Sequence, residues 1–230
     1  MDVTFYAQQI FFIKLLTFEI LDDILYVSSY ILPTTYFIGG TMKLNKIALV
    51  KTGLLLSRKQ SETKDNGYEY RQLNLKSVVD NGTINMEETM LFYASKELEI
   101  NYLTQIGDVI VKTSEPYTAV YVIEEYAGLV VPSHFVIIRV DKSIAIPQYI
   151  AWYLNRDHIK RNFRMSCSGL LMQIKPTTIA ETEIKLPSLE RQKQIVEIYE
   201  TAQQEIRLYE KLIQIKKVYY KTLINKINKM

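Results

Sequence analysis

The sequence predicts an α+β chain: a mostly β domain with short helices, followed by one long C-terminal helix. Three observations predict it. The middle of the chain carries short runs rich in β-branched and aromatic residues, separated by turn dipeptides. A proline-led helical period interrupts them at Pro147. After Pro187 there is no further Gly or Pro, and apolar residues recur in alternating steps of four and three to the end.

The 230 residues, 48% apolar and 23% charged with eight Gly and six Pro, suit a folded chain with one sizeable core and exclude a collagenous or globally disordered one. A single cysteine, Cys167, excludes an internal disulfide framework and favours a reducing, cytoplasmic setting, where a buried inert thiol is expected. The net charge of +3 is unevenly spread: residues 1–41 sum to −3 and the remainder to +6. Every charged residue from Lys211 onward is a lysine. Such a basic tail suits a polyanion nearby, and equally a solvated helix whose lysines complement its C-terminal dipole.

Residues 1–41 are aromatic and β-branched, yet they hold neither strand alternation nor a helical stripe. Lys14, Glu19, Asp22 and Asp23 interrupt the apolar run before the roughly 20 residues a membrane span requires. No basic residue precedes that run and no small-residue cleavage site closes it, unlike a signal peptide. Gly39-Gly40 is necessarily encoded GGN-GGN, compatible with a purine-rich ribosome-binding sequence just ahead of Met42. The expectation is therefore an uncertain N-terminal extension translated from an over-long gene assignment, which the intact mass of the natural protein would test.

From Met42 the elements come in order. In KLNKIALVKTGLLLSRK, residues 43–59, Ile47, Leu49 and the apolar run after Thr52-Gly53 predict strands around a tight turn. YEYRQLNLKSVV follows a polar break, Asp80-Asn81-Gly82 predicts a turn, and Gly107-Asp108 introduces the strand VIVKTS. AVYVIEE, GLVV and HFVIIRV read as further strands. Tyr149, Ile150, Tyr153, Leu154 and Ile159 predict one short amphipathic helix from Pro147 through Phe163. Ser168-Gly169 and Lys175-Pro176 mark loops, and Pro187 closes the globular part.

Ser188 is the predicted N-cap of the last helix, with Glu190 in its first turn. Its seam runs Ile195, Tyr199, Ala202, Ile206, Tyr209, Ile213, Lys216, Tyr220, Leu223, Ile227 and Met230, apolar at ten of eleven positions. Lys216, the exception, either fixes register or carries its ammonium past the seam. Residues 188–230 would extend on the order of 60 Å, more than one small domain can cover. The exposed stripe needs a partner helix, most simply from a second copy packed antiparallel or parallel.

Enzymatic constellations are not found: no Walker loop, glycine-rich dinucleotide fingerprint, HExxH or paired CxxC. His134, ahead of an apolar strand, and His158, among Arg156, Lys160, Arg161 and Arg164, lie outside any metal-ligand spacing. Polar and basic residues gather instead at predicted turns: Lys51, Ser57, Arg58 and Lys59; Arg71 and Gln72; Lys112, Thr113 and Ser114; Ser168, Gln173 and Lys175. Lysine and arginine neutralise phosphates, and Gln and Arg pair with base edges in the major groove, so loops of this make-up can bind duplex DNA.

The order of segments resembles the specificity subunit of type I restriction-modification systems, in a half-length form. The resemblance rests on the opening segment 43–59, Gly107-Asp108-Val109-Ile110, PQYIAWYLN at 147–155, the Ser-Gly loop at 168–169 and IKLPSLERQKQI at 184–195. Where the family commonly shows two prolines before Leu-x-x-Gln, this chain keeps Pro187, Leu189, Gln192 and Ile195 and has Ser188 at the second proline position. Nothing before Met42 takes part. The resemblance implies a target-recognition domain over 42–187 and a helix over 188–230 for dimerisation and subunit docking. It implies a non-catalytic chain without a cofactor of its own that selects double-stranded DNA. S-adenosylmethionine chemistry would reside on partner methyltransferase subunits, and ATP and Mg on a partner motor-nuclease subunit. Full-length members alternate two such domains and two helices, so a homodimer of this chain would restore the architecture and read a bipartite, palindromic site. Two other readings stay open: a silent recognition cassette exchanged by recombination, and a coiled-coil module whose head binds protein.

Overall fold

The structure is a computed structural model that describes residues 40–61, 67–167 and 173–228. By its contacts the chain divides after Ile38, and the unit described is Gly39–Met230. Residues 1–39 of the expected N-terminal extension, Ser168-Gly169 and Met230 lie outside the described residues, whereas Thr41 belongs to the first strand of the domain.

A four-stranded antiparallel sheet forms the centre, in the order β2 (Ala48–Thr52), β9 (Phe135–Val140), β7 (Asp108–Lys112) and β8 (Ala119–Tyr121). β7 and β9 are nearly continuous apolar runs because both of their faces are covered. On one face Val109, Val111, Val136 and Ile138 pack against Tyr149, Ile150 and Leu154 of α1 (Pro147–Leu154), with α2 (Asp157–Ser166) and α3 (Pro176–Ala180) extending the layer. On the other, Ile110, Val120, Phe135 and Ile137 meet Leu73, Val78, Ile84 and Val131. A satellite core of Leu54, Phe92, Ala94, Leu98 and Val130 lies under the ladder of β3 (Tyr68–Gln72) and β6 (Met90–Ala94).

Several local expectations hold. Asp80-Asn81-Gly82 turns β4 (Val78–Val79) into β5 (Thr83–Ile84), with Gly82 at φ 81°. Gly107, at φ 97°, leads into β7 as expected. β1 (Thr41–Lys43) pairs with β10 (Glu183–Lys185), joining the two ends of the domain. The long helix α4 runs Leu189–Ile227, and Ser188 caps it by accepting a hydrogen bond from the Arg191 amide at 3.3 Å.

Three expectations need correction. Thr52-Gly53 is not a hairpin turn: β2 pairs with β9, and the chain dives beneath 131–132, where a Cβ on residue 53 would stand 2.2 Å from the Pro132 carbonyl oxygen. Glycine is needed there for close approach. Leu49 lies in β2 as the strand expectation has it, and on this edge strand it is 61% exposed. GLVV is no strand; Val130 instead bridges Gln72 and Leu103.

The third correction concerns the predicted helix 147–163, which breaks at Asn155-Arg156 into α1 and α2. The Asn155 carboxamide accepts from the Ala119 amide at 3.0 Å and donates to the Ala119 carbonyl at 2.7 Å. It thereby occupies the free edge of β8 as a neighbouring strand would. Asn155→Ala strands both backbone groups and should cost about 1–3 kcal/mol in a urea unfolding measurement.

Candidate nucleic-acid interface

Thr52 faces Val136, Lys112 faces Phe135, and Val111 faces Ala119. Hence β2 and β7 finish, and β8 and β9 begin, at the same end of the sheet. Several predicted contact residues gather there from distant parts of the chain. The 3₁₀ turn Leu56–Arg58 leaves from β2, exposing Ser57 and Arg58, with Lys59 half-buried behind them. Lys112 is half-buried at the tip of β7. Ser114 bridges exposed Gln173, the Ile174 amide donates to the Thr113 carbonyl at 2.9 Å, and exposed Lys175 leads into α3. Gln72 and Leu73 pair instead with Val130, which also bridges Leu103 in the segment before β7, and Arg71 is exposed on β3.

The packing reassigns three predicted contacts. The Lys51 ammonium lies 3.8 Å from the centre of the Tyr102 ring, a cation–π contact that makes it a clamp on the loop before β7. Thr113 is buried, and its amide and hydroxyl both donate to the His134 carbonyl, so it ties β7 to β9 rather than presenting a donor outward. Gln72 buries its Oε1 without a hydrogen-bond partner among the described residues. Ser168 lies outside the described residues.

Residues that no local pattern marks complete this end. Tyr117, at φ 56° and fully buried, makes an edge contact with Phe163 at 6.0 Å, and its hydroxyl lies 3.3 Å from Cys167 Sγ. Burial and the Cys167 contact push its phenol up to about 12. Arg164 of α2 pairs with Glu115 on the same loop. The β7–β8 loop is thus pinned to the helix layer.

Burial, with the Lys112 charge beside it, pushes the His134 imidazole below 6.5. The unfolded chain then binds more protons than the folded one below that value. Stability should be fully present above it and fall as acidification proceeds through the folded value. Urea midpoints measured on either side of pH 6.5 should differ less for His134→Gln than for the parent chain.

At the opposite end, Arg139 and Asp108 form an ion pair at 3.1 Å, and Arg139 also donates to Asn101 at 2.7 Å. Burial raises the Asp108 carboxyl, against the Gln105 amide and Arg139, which lower it. This network fastens the loop before β7 and is separate from the basic end. Among the described residues there is no cluster of His, Cys, Asp and Glu that could hold a metal ion, and no helix long and apolar enough to cross a membrane.

The helix seam is also partly reassigned. Ile195 packs against the domain core and Tyr199 is half-buried, so both secure the helix to its own domain. From Gln204 to Asn228 every residue is exposed, including Ile206, Tyr209, Ile213, Tyr220, Leu223 and Ile227. Ala202 is exposed just before them.

Comparison with known proteins decides what this combination is. The sequence profile of the type I restriction modification DNA specificity domain matches residues 40–217. The chain belongs to that family. Its fold is similar to the HsdS subunit from Thermoanaerobacter tengcongensis, with a TM-score of 0.59 and 19% identity over 76% of this chain and 44% of that one. A structure described for complex assembly and conformational transition of the type I R-M system gives a TM-score of 0.60 and 20% identity, over 78% and 46%. The chain therefore spans under half the length of each. A comparison with curated proteins finds no match. The α+β specificity-domain fold, with a long C-terminal helix, is the one the sequence predicts.

Proposed function

We propose that this specificity-domain chain is the DNA-reading half of a type I restriction-modification specificity subunit and works as a homodimer on a bipartite site. The observation that carries the reading is the run of exposed apolar residues along α4 beyond its own domain. An apolar stripe of that length is stable in water only when another helix covers it.

The charges of α4 favour an antiparallel second copy. Glu190, Glu197, Glu200, Glu205 and Glu210 all precede Lys211, and Lys216, Lys217, Lys221 and Lys226 follow with no further acid. Antiparallel pairing sets the lysines near glutamates, whereas parallel pairing sets them near one another. A second exposed row, Leu208, Leu212, Ile215 and Tyr219, lies beside the seam at the same four-three spacing. It suits the methyltransferase subunits, which would supply S-adenosylmethionine chemistry; the motor-nuclease subunit would bring ATP and Mg. The chain itself would select sequence and perform no chemistry.

The test is sequencing of methylated DNA from cells that express this chain with its methyltransferase. Modification at two identical half-sites, inverted about a fixed spacer, is expected. Methylation at an undivided site would overturn the dimer, and none at all would favour a silent cassette.

A further inference from the structure

We infer that Gln192 is the joint that fixes the direction of α4 relative to the reading domain, and through it the reach between half-sites; the second clause rests on the dimer proposed above. Gln192 is 0% exposed although its neighbours Arg191 and Lys193 are exposed. Its Oε1 accepts from the Ile146 amide at 2.9 Å. Its Nε2 donates to the Pro187 carbonyl at 2.9 Å and lies 3.5 Å from the Ile144 carbonyl. One side chain therefore ties the helix to the segment before α1 and to the turn from which the helix departs.

The chemistry selects an amide. A donor and an acceptor are needed together in a buried site, and a carboxylate would bring a buried charge with nothing to donate. An apolar residue would leave the Ile146 amide and the Pro187 carbonyl unpaired. One turn on, Val196 is buried against the same core, and from Gln204 onward every described residue of the helix is exposed.

Leverage makes this joint consequential. A rod on the order of 60 Å long, held over its first few turns, moves its far end by about 3 Å for each ~3° of play at the base. That displacement is close to the ~3.4 Å rise of one base pair. A joint that loses a few degrees of definition loses a base pair of spacer definition.

The experiment uses the full chain with Cys167→Ser, spin labels on cysteines introduced at Glu125 and Gln214, and excess unlabelled chain so that only distances within one protomer are read. A single narrow distance distribution is expected for Gln192, and one about twofold broader for Gln192→Met. Val120→Ala, which opens the sheet core away from the helix, should lower the melting temperature and leave the distribution narrow. An unchanged width in Gln192→Met overturns the joint, as does equal broadening in Val120→Ala. Selection from random duplexes is read separately: several spacers differing by a base pair for Gln192→Met, against one for the parent, support transmission to DNA, and one spacer for both overturns it. A parent chain that selects a lone half-site removes the dimer reading and with it the reach, while the distances still decide the joint.

Discussion

Ile213→Asp should convert the chain from dimer to monomer at micromolar concentration, read by sedimentation equilibrium, with its domain still folded. Ile213 lies at the middle of the exposed seam and is 51% exposed within one protomer, so the substitution leaves the domain core untouched. In a paired helix the new carboxylate would be forced against apolar side chains of the partner, twice per dimer by symmetry. Losing a buried isoleucine costs about 2–5 kcal/mol, and an unpaired buried charge adds several more. A penalty near 5 kcal/mol weakens association by between three and four powers of ten. Circular dichroism should show α4 losing helicity with the partner, because an isolated helix of this type draws its stability from packing. Unchanged sedimentation would show that the exposed seam does not pair copies.

Raising monovalent salt from about 50 to 200 mM should weaken DNA binding on the order of a thousandfold, as neutralisation of several phosphates requires. Within that dependence two lysines on the strands that flank β9 should behave differently. Lys112→Ala should weaken binding to all sequences alike and reduce the salt slope by about one. Lys51→Ala should leave the slope alone and lower stability instead, because the Lys51 ammonium is engaged over Tyr102. Fluorescence anisotropy against salt for the three proteins checks both statements. Equal loss of slope in the two variants would mean that Lys51 leaves the ring to meet a phosphate.

These two lysines also illustrate what the sequence discloses. Features specified within a few residues were legible: the Asp80-Asn81-Gly82 turn, the strand opened by Gly107-Asp108, the Ser188 cap and the helix that follows. Each depends on backbone preference or on a period shorter than ten residues. What escaped depends on partners far along the chain. Asn155 looks like one more helical residue until Ala119, 36 positions away, offers its two backbone groups. Gln192 reads as a polar helix residue until Ile146 arrives, 46 positions away. Thr113 and Lys112 are neighbours of equal promise in sequence, yet Thr113 is buried where it bonds to the His134 carbonyl and the Ile174 amide, residues 21 and 61 positions away. The first member of the expected seam, Ile195, packs against the domain core and Tyr199 is half-buried, because side-chain period does not say which body a helix face meets.

The pairing of β1 with β10 places Thr41 opposite Lys185 and Lys43 opposite Glu183, so the polypeptide enters and leaves the globular part side by side. A module with adjoining gateposts can be cut out and another grafted in its place without bending the shaft that follows, provided the newcomer closes with the same two short strands and offers Gln192 the backbone groups that Ile144 and Ile146 offer here. Under the proposed function, DNA preference would then be exchangeable at two junctions while the exposed part of α4 stays the same.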